Sequence, residues 1–358
     1  MSAADRDLTP SWILQETLNV HQNALESYLT TKGVTTSPAA SGARRDDGLT
    51  MTVLGCGTMG TAVLGGILDS LGGKPEKAGA QKVTVPERVP SRFIAVVQST
   101  AGADRVRKEL RQYSLSSKVS ICQGDPCKTI AAVEEADVVL LACKPHGVEP
   151  LLQAQGMRDA LKGKLLVSIC SGVTCGQMKS YLGSAAVADR AKQEQEESHR
   201  SVTFIVRAMP NTAAAIREST TVIADSDPST PASYSSLVDW MFSRVGLIVH
   251  LPEANMDACT ALCGSGPAFA AVFLESIAAG AIAVGVPRNE AYTMAAQTMR
   301  GTAGLLLEGQ ESHAALLRDK VTSPGGCTAA GLAVLEEGAV RGVVGKAVRE
   351  AAKAAKRQ

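Results

Sequence analysis

Leu49-Thr-Met-Thr-Val-Leu-Gly-Cys-Gly-Thr-Met-Gly60 sets a strand-like apolar run directly before three glycines, and an apolar-periodic helical segment follows to about Leu71. A G-x-G-x-x-G pattern has mechanical meaning in that context alone, between a strand and a helix. Gly55 then permits the tight turn, Gly57 lets a pyrophosphate approach the backbone, and Gly60 lets helix and strand pack closely. Free N–H groups at the helix start face the phosphates.

Outward from this unit the texture repeats. Apolar runs at Arg92 to Gln98, Asp137 to Cys143 and Leu165 to Cys170 alternate with helix-like segments such as Asp104 to Arg111. Strands alternating with helices predict an α/β fold, a Rossmann-like, doubly wound parallel sheet. Strand signals stop after about Leu251, and the remainder reads as helices broken by Gly and Pro. The expected organisation is an N-terminal extension and linker (1–48), a dinucleotide-binding domain (49–252) and an all-helical substrate and dimerisation domain (253–358). Polar stretches at 72–91 and 189–200 read as surface insertions.

The composition excludes several function classes. With 358 residues, 45% hydrophobic and 20% charged, the chain can bury a sizeable core. Lys and Arg number 36 against 35 Asp and Glu, a net charge of +1 that does not suit a nucleic-acid partner. Nine scattered cysteines without a CxxC pair point to free thiols in a reducing compartment, and five histidines without a second ligand at metal spacing predict no metal. Asp5 and Asp7 stand where an export signal would be basic and then apolar, so the expected location is the cytoplasm. Pro267 to Pro287 is apolar enough to suggest a membrane span, with Glu275 its single charge. Its Ala and Gly content and its lack of basic flanks favour a helix buried in protein, at a subunit interface.

An acid at the end of the second strand would bond a ribose 2′-hydroxyl and repel a 2′-phosphate. Val97-Gln-Ser-Thr100 has none there, and Arg105 and Arg107 follow, so NADPH is the expected cofactor, with NADH as the alternative. Ala142-Cys-Lys-Pro145 and Ser171 close later strands and should face the same ligand, although Lys144 reads equally as a solvated loop cation. A second candidate anion site is Val321-Thr-Ser-Pro-Gly-Gly-Cys-Thr328, a Ser/Pro/Gly turn before a helix, whose alternative reading is ordinary capping by Ser323 or Thr328. Neither this turn nor Leu262-Cys-Gly-Ser-Gly-Pro267 contains an acid–base dyad. That suits hydride delivery to an already electrophilic C=N bond. Cys327, at a helix start, reads as an inert thiol or, alternatively, a reactive one.

Gly55-Cys-Gly-Thr-Met-Gly60, Leu141-Ala-Cys-Lys-Pro-His146, Met209-Pro-Asn-Thr212, Gly264-Ser-Gly-Pro267 and Val321 to Thr328 together resemble the pyrroline-5-carboxylate reductase family, in order, from about Leu49 to the C-terminal helices. The resemblance implies reduction of 1-pyrroline-5-carboxylate to L-proline by NADPH, in a homodimer or a larger ring of dimers. Gly55, Cys56, Gly57, Thr58, Met59, Gly60, Ser99, Thr100, Ala142, Cys143, Lys144, Pro145 and Ser171 would contact the cofactor, and Asn211 would lie in the turn lining its nicotinamide end. Val321, Ser323, Gly326, Cys327 and Thr328 would hold the substrate, with Thr328 on the ring nitrogen as the catalytic hydroxyl. The sequence departs from the family at Lys320, Cys327 and Ala213, none of which removes a group the chemistry requires. A β-hydroxyacid-type dehydrogenase, which would need a general base, and a non-catalytic NADP-binding sensor are the alternatives.

Overall fold

The computed structural model describes residues 48–75, 81–183, 202–225, 227–309 and 313–356, and Gly48–Gln358 forms one compact unit. Residues 1–47 of the expected N-terminal extension and linker, and the insertion expected at 189–200, lie outside the described residues.

Eight strands form one sheet: β1 (Leu49–Leu54), β2 (Pro90–Val97), β3 (Val119–Gln123), β4 (Val138–Leu141), β5 (Leu165–Ser168), β6 (Phe204–Met209), β7 (Ser219–Ala224) and β8 (Gly246–Leu251). Their order is β3-β2-β1-β4-β5-β6-β7-β8. Strands β1 to β6 pair in parallel. Between them run α1 (Thr58–Leu71), α2 (Thr100–Leu110), α3 (Pro126–Glu134), the short α4 (Val148–Leu152) and α5 (Met157–Ala160), and α6 (Cys175–Tyr181).

The central strands bury both faces, and their side chains sort by the two-residue period. Val138, Leu140, Leu165, Val167, Phe204 and Val206 point into the core shared with α1 and α2. Val139, Leu141, Leu166 and Ile205 point into the core on the opposite face.

One expectation is refined. The sheet is not parallel throughout, because β7 pairs with β6 antiparallel and β8 continues parallel to β7. The short link 210–218 leaves no room for a crossover helix, whereas β7 and β8 are joined through α7 (Ala232–Ser243). The polar stretch 72–91 also has work to do. Gln81 accepts a hydrogen bond from Ile248 N–H (3.0 Å), so part of it covers the edge strand β8.

From Met256 onward the chain is helical: α8 (Met256–Cys259), a π-turn (Thr260–Gly264), α9 (Gly266–Ala283), α10 (Arg288–Leu307), α11 (Ala314–Lys320), α12 (Cys327–Glu337) and α13 (Val340–Ala355). The expectation that α9 is buried is not met within one chain. Only Ala278 of this helix is buried, while Val272 is 62% and Ile277 53% exposed. By length and composition Glu253–Ala283 could cross a membrane.

A half-buried ion pair ties sheet to helices. Arg207, the one charge in β6, has a side chain only 6% exposed and bonds Glu253 at 2.9 Å. Glu253 Oε1 also accepts from the N–H of Cys175 (2.8 Å), the first residue of α6. Partial burial would raise its carboxyl pKa, but the bonds from Cys175 and Arg207 outweigh it and hold the group below its ordinary value. A carboxyl with a lowered folded-state pKa stabilises the fold above its unfolded value, and that contribution is lost as pH falls through the folded one. Glu253→Gln should therefore lower Tm at pH 7 by a few degrees. Calorimetry should find the gap narrowing as pH falls below the ordinary glutamate range and through the lowered folded-state pKa, where the parent loses its charge as well. A constant gap would place the effect elsewhere.

Candidate active site

At the switch point between β1 and β4 the chain reverses the direction in which strands are added, which opens a crevice at their carboxyl ends. Gly55 sits there with φ +76°. A β-carbon on it would lie 2.7 Å from Cys143 Cα and 2.8 Å from Cys143 N, so the glycine turn and the end of β4 are in direct contact. Gly60 does the packing expected of the third glycine, since its β-carbon would meet Val53 at 3.0 Å and Ala142 at 3.2 Å.

Gly57 differs. Its φ is −85°, and a β-carbon there would meet only the Gly55 carbonyl oxygen, at 3.7 Å. Nothing among the described residues demands a glycine at this position, but a ligand lying against the backbone would. Gly57 is also the N-cap of α1, and no side chain caps that helix. The first-turn N–H groups are thus available to an anion. By contrast, Ser99, Asp125 and Thr174 cap α2, α3 and α6 through their side chains. The residues present therefore fit a dinucleotide pyrophosphate.

The other expected cofactor residues gather around this turn. Cys56 is 1% exposed, and burial pushes its thiol up to about 11, partly offset by its contact with Thr61. Only its backbone faces the crevice loop. Thr58 is exposed, Met59 leans on the core, and Lys144 is exposed beside the half-buried Pro145. Cys143 and Cys170 lie with sulfurs 4.0 Å apart, and the Cys170 thiol donates to the Cys143 carbonyl at 3.2 Å. That contact joins the ends of β4 and β5 and brings Ser171 to the same rim. The neighbouring thiol and burial raise the Cys170 pKa, whereas the bond from Cys170 lowers that of Cys143.

At the end of β2, the Ser99 hydroxyl accepts from Gly102 N–H (3.1 Å) and Thr100 bonds Gln123 (3.1 Å). Both stay exposed. The two arginines expected near this end part ways: Arg105 reaches the Cys56 carbonyl at 3.4 Å, and Arg107 pairs with Asp104 at 2.6 Å.

Asn211 follows β6. Its side chain accepts from Ala213 N–H (3.1 Å) and donates to the Cys263 carbonyl (3.1 Å). The remaining expected residues, Val321, Ser323, Gly326, Cys327 and Thr328, cluster at the turn before α12. Capping by Ser or Thr is not what they do. Gly326 is the N-cap and no side chain closes the helix, which leaves a second set of free N–H groups. Val321 is 59% exposed, and the Cys327 thiol is exposed. Sequence reasoning missed Arg207, Glu253 and the π-turn. A lone arginine in the buried run Phe-Ile-Val-Arg-Ala-Met was the signal for the first.

A glycine turn opening an uncapped helix at the switch point of a β3-β2-β1-β4-β5-β6 sheet defines a Rossmann-type dinucleotide-binding protein. Residues 50–172 match a family model described as NADP oxidoreductase, coenzyme F420-dependent, and residues 253–358 match one described as pyrroline-5-carboxylate reductase dimerisation. A pyrroline-5-carboxylate reductase of Lophium arboricola is 51% identical over 87% of this chain and 94% of its own length. The chain belongs to the pyrroline-5-carboxylate reductase family. Solved structures agree on the fold. The Coxiella burnetii pyrroline-5-carboxylate reductase aligns with TM-score 0.66 and 25% identity, covering 87% of this chain and 98% of that one. A Plasmodium falciparum pyrroline carboxylate reductase with NADP bound aligns with TM-score 0.65 and 23% identity over the same shares.

Two glycine substitutions separate fold from ligand. Gly55→Ala should destabilise the protein, because it combines a left-handed backbone with a backbone collision. Gly57→Ala should leave Tm within about 2 °C while weakening dinucleotide binding at least about tenfold, as read by titration of cofactor fluorescence. A Gly57→Ala protein that binds normally would remove the pyrophosphate from this turn.

Proposed function

We propose that the chain reduces the C=N bond of 1-pyrroline-5-carboxylate to give L-proline, with NADPH as the preferred reductant. The observation that carries this reading is the open backbone at Gly57 on the uncapped start of α1, taken with the family to which the chain belongs. NADPH supplies the hydride, from its nicotinamide ring to C5 of the substrate ring.

The chain's own residues bind and orient. The backbone of Gly55, Cys56, Gly57, Thr58, Met59 and Gly60 receives the pyrophosphate. Ala142, Cys143, Lys144, Pro145 and Ser171 line the crevice beyond it, and the turn at Asn211 borders the nicotinamide end. Ser99 and Thr100 receive the 2′-phosphate, a role supported by the exposed hydroxyl-rich end of β2 without a carboxylate. The free N–H groups at Cys327 and Thr328 hold the substrate carboxylate, with Gly326, whose own N–H is taken by the Ser323 carbonyl, forming the turn, and Val321 and Ser323 beside the ring. The Thr328 hydroxyl hydrogen-bonds the ring nitrogen. Holding both anions fixes ring against ring, which is where most of the rate arises.

Within the compact unit, 49–252 serves as the dinucleotide-binding domain and 253–358 as the substrate and dimerisation domain. The exposed apolar face of α9, with Val272, Phe273 and Ile277, is covered by a second copy of the chain, giving a homodimer that further assembles as a ring of dimers. A cytoplasmic location is part of the same proposal.

The assay is the loss of reduced-nicotinamide absorbance with 1-pyrroline-5-carboxylate, run with NADPH and with NADH. Oxidation should depend on substrate and fall at least about tenfold in Thr328→Ala. Ser99→Asp keeps a capping oxygen for α2 but sets a carboxylate against the 2′-phosphate, so it should lower kcat/KM for NADPH and spare NADH. Cofactor binding without turnover would instead mark a sensor. Sedimentation should find at least a dimer, and an active monomer would refute the α9 interface.

A further inference from the structure

The π-turn Thr260–Gly264 interrupts the helical run that leads into α9. Its signature bond is Ser265 N–H to the Thr260 carbonyl, five residues back, at 2.9 Å. Such wide turns release backbone carbonyls from the usual helical ladder and cluster at functional sites. Here the Cys263 carbonyl receives the Asn211 amide at 3.1 Å. The same turn meets the end of β6 again, since Thr260 Oγ1 lies 2.8 Å from Met209 Sδ and 2.8 Å from the Met256 carbonyl oxygen.

The Asn211 side chain has one orientation that satisfies its surroundings. Oδ1 must face Ala213 N–H, and Nδ2 must face the Cys263 carbonyl. Its backbone N–H is fixed as well, on Ser219 Oγ at 3.0 Å. The short helical turn that Asn211 starts, Thr212–Ile216, packs against α1, and its Ala214 is 1% exposed in the core that α1 shares. On the other side, α13 packs on both α8 and the π-turn, and α12 packs on α13. One amide therefore stands between the helix that opens at the cofactor turn and the helices that carry the 321–328 turn.

We propose that Asn211 is a positioning residue for hydride transfer, holding the π-turn against the end of β6 through the Cys263 carbonyl rather than contacting the cofactor itself. This rests on the reductase reading. A small shift of the helices relative to the sheet would leave each ligand bound but misalign the two rings, which lowers kcat more than cofactor affinity.

Asn211→Asp and Asn211→Ser separate the roles, because both keep an oxygen to cap the 212–216 turn while neither can donate the amide N–H to Cys263. In the full-length protein both should lower kcat about tenfold and leave the NADPH dissociation constant within twofold. Hydrogen exchange at Ser265 N–H, read without cofactor, should accelerate. Thr260→Val loosens the same turn from its other side and should reproduce the pattern, which keeps the test open if an Asn211 variant folds poorly. Unchanged kcat in the folded variants would overturn the proposal. So would a tenfold weaker NADPH complex with kcat intact, the mark of a direct cofactor contact. If the parent enzyme does not oxidise NADPH with substrate, the reductase reading fails, and the Ser265 exchange rates still decide whether Asn211 holds the π-turn.

Discussion

One near-collision governs the mouth of the sheet: Gly55 turns the chain so close to Cys143 that a β-carbon would lie 2.7 Å from its Cα. Only glycine accepts both that approach and a φ of +76°. Because β1 and β4 are adjacent and parallel, the contact brings two loops that leave the sheet in opposite directions to one point. The crevice between them is therefore a consequence of strand order, and the chemistry of Gly57 and the α1 N-terminus is placed by it. Cys170, bonded to the Cys143 carbonyl, extends the same rim by one strand.

Much of this was legible in the sequence, and the reasons are local. The run Leu49–Leu54 is long and apolar, its helix follows at once, and the intervening glycines have few other uses. Strand β4 is a short unbroken apolar run, and β5 is one up to Ser168, because both faces are buried.

What escaped is non-local. The antiparallel entry of β7 depends on the length of the preceding link rather than on any residue in the strand. Glu253 gives no sign in its own neighbourhood that it caps a helix and pairs with an arginine 46 positions earlier. Met209-Pro-Asn-Thr reads as a turn, which it is, but the bond that makes Asn211 matter spans 52 residues. The π-turn has no periodicity of its own to detect. The all-round apolar character of α9 was read as burial at a subunit interface, and within one chain the helix is indeed left exposed.

The two candidate anion sites share a design with an energetic consequence. Both α1 and α12 begin at a glycine without a side-chain cap, whereas α2, α3 and α6 are capped by Ser, Asp or Thr. Glycine in place of a capping side chain costs only about a few tenths of a kcal/mol at each helix start, and an anion bound there would add a charge-assisted bond. A ligand at either start would thus supply a contact that the fold leaves unmade. Affinity is built into backbone that cannot rotate away, and specificity is left to the few side chains around it. For hydride transfer the remaining requirement is that the two helix starts keep a fixed relation. Neither helix can enforce that alone, and it falls to the contacts between sheet and helices, the Arg207–Glu253 pair and the π-turn at Asn211.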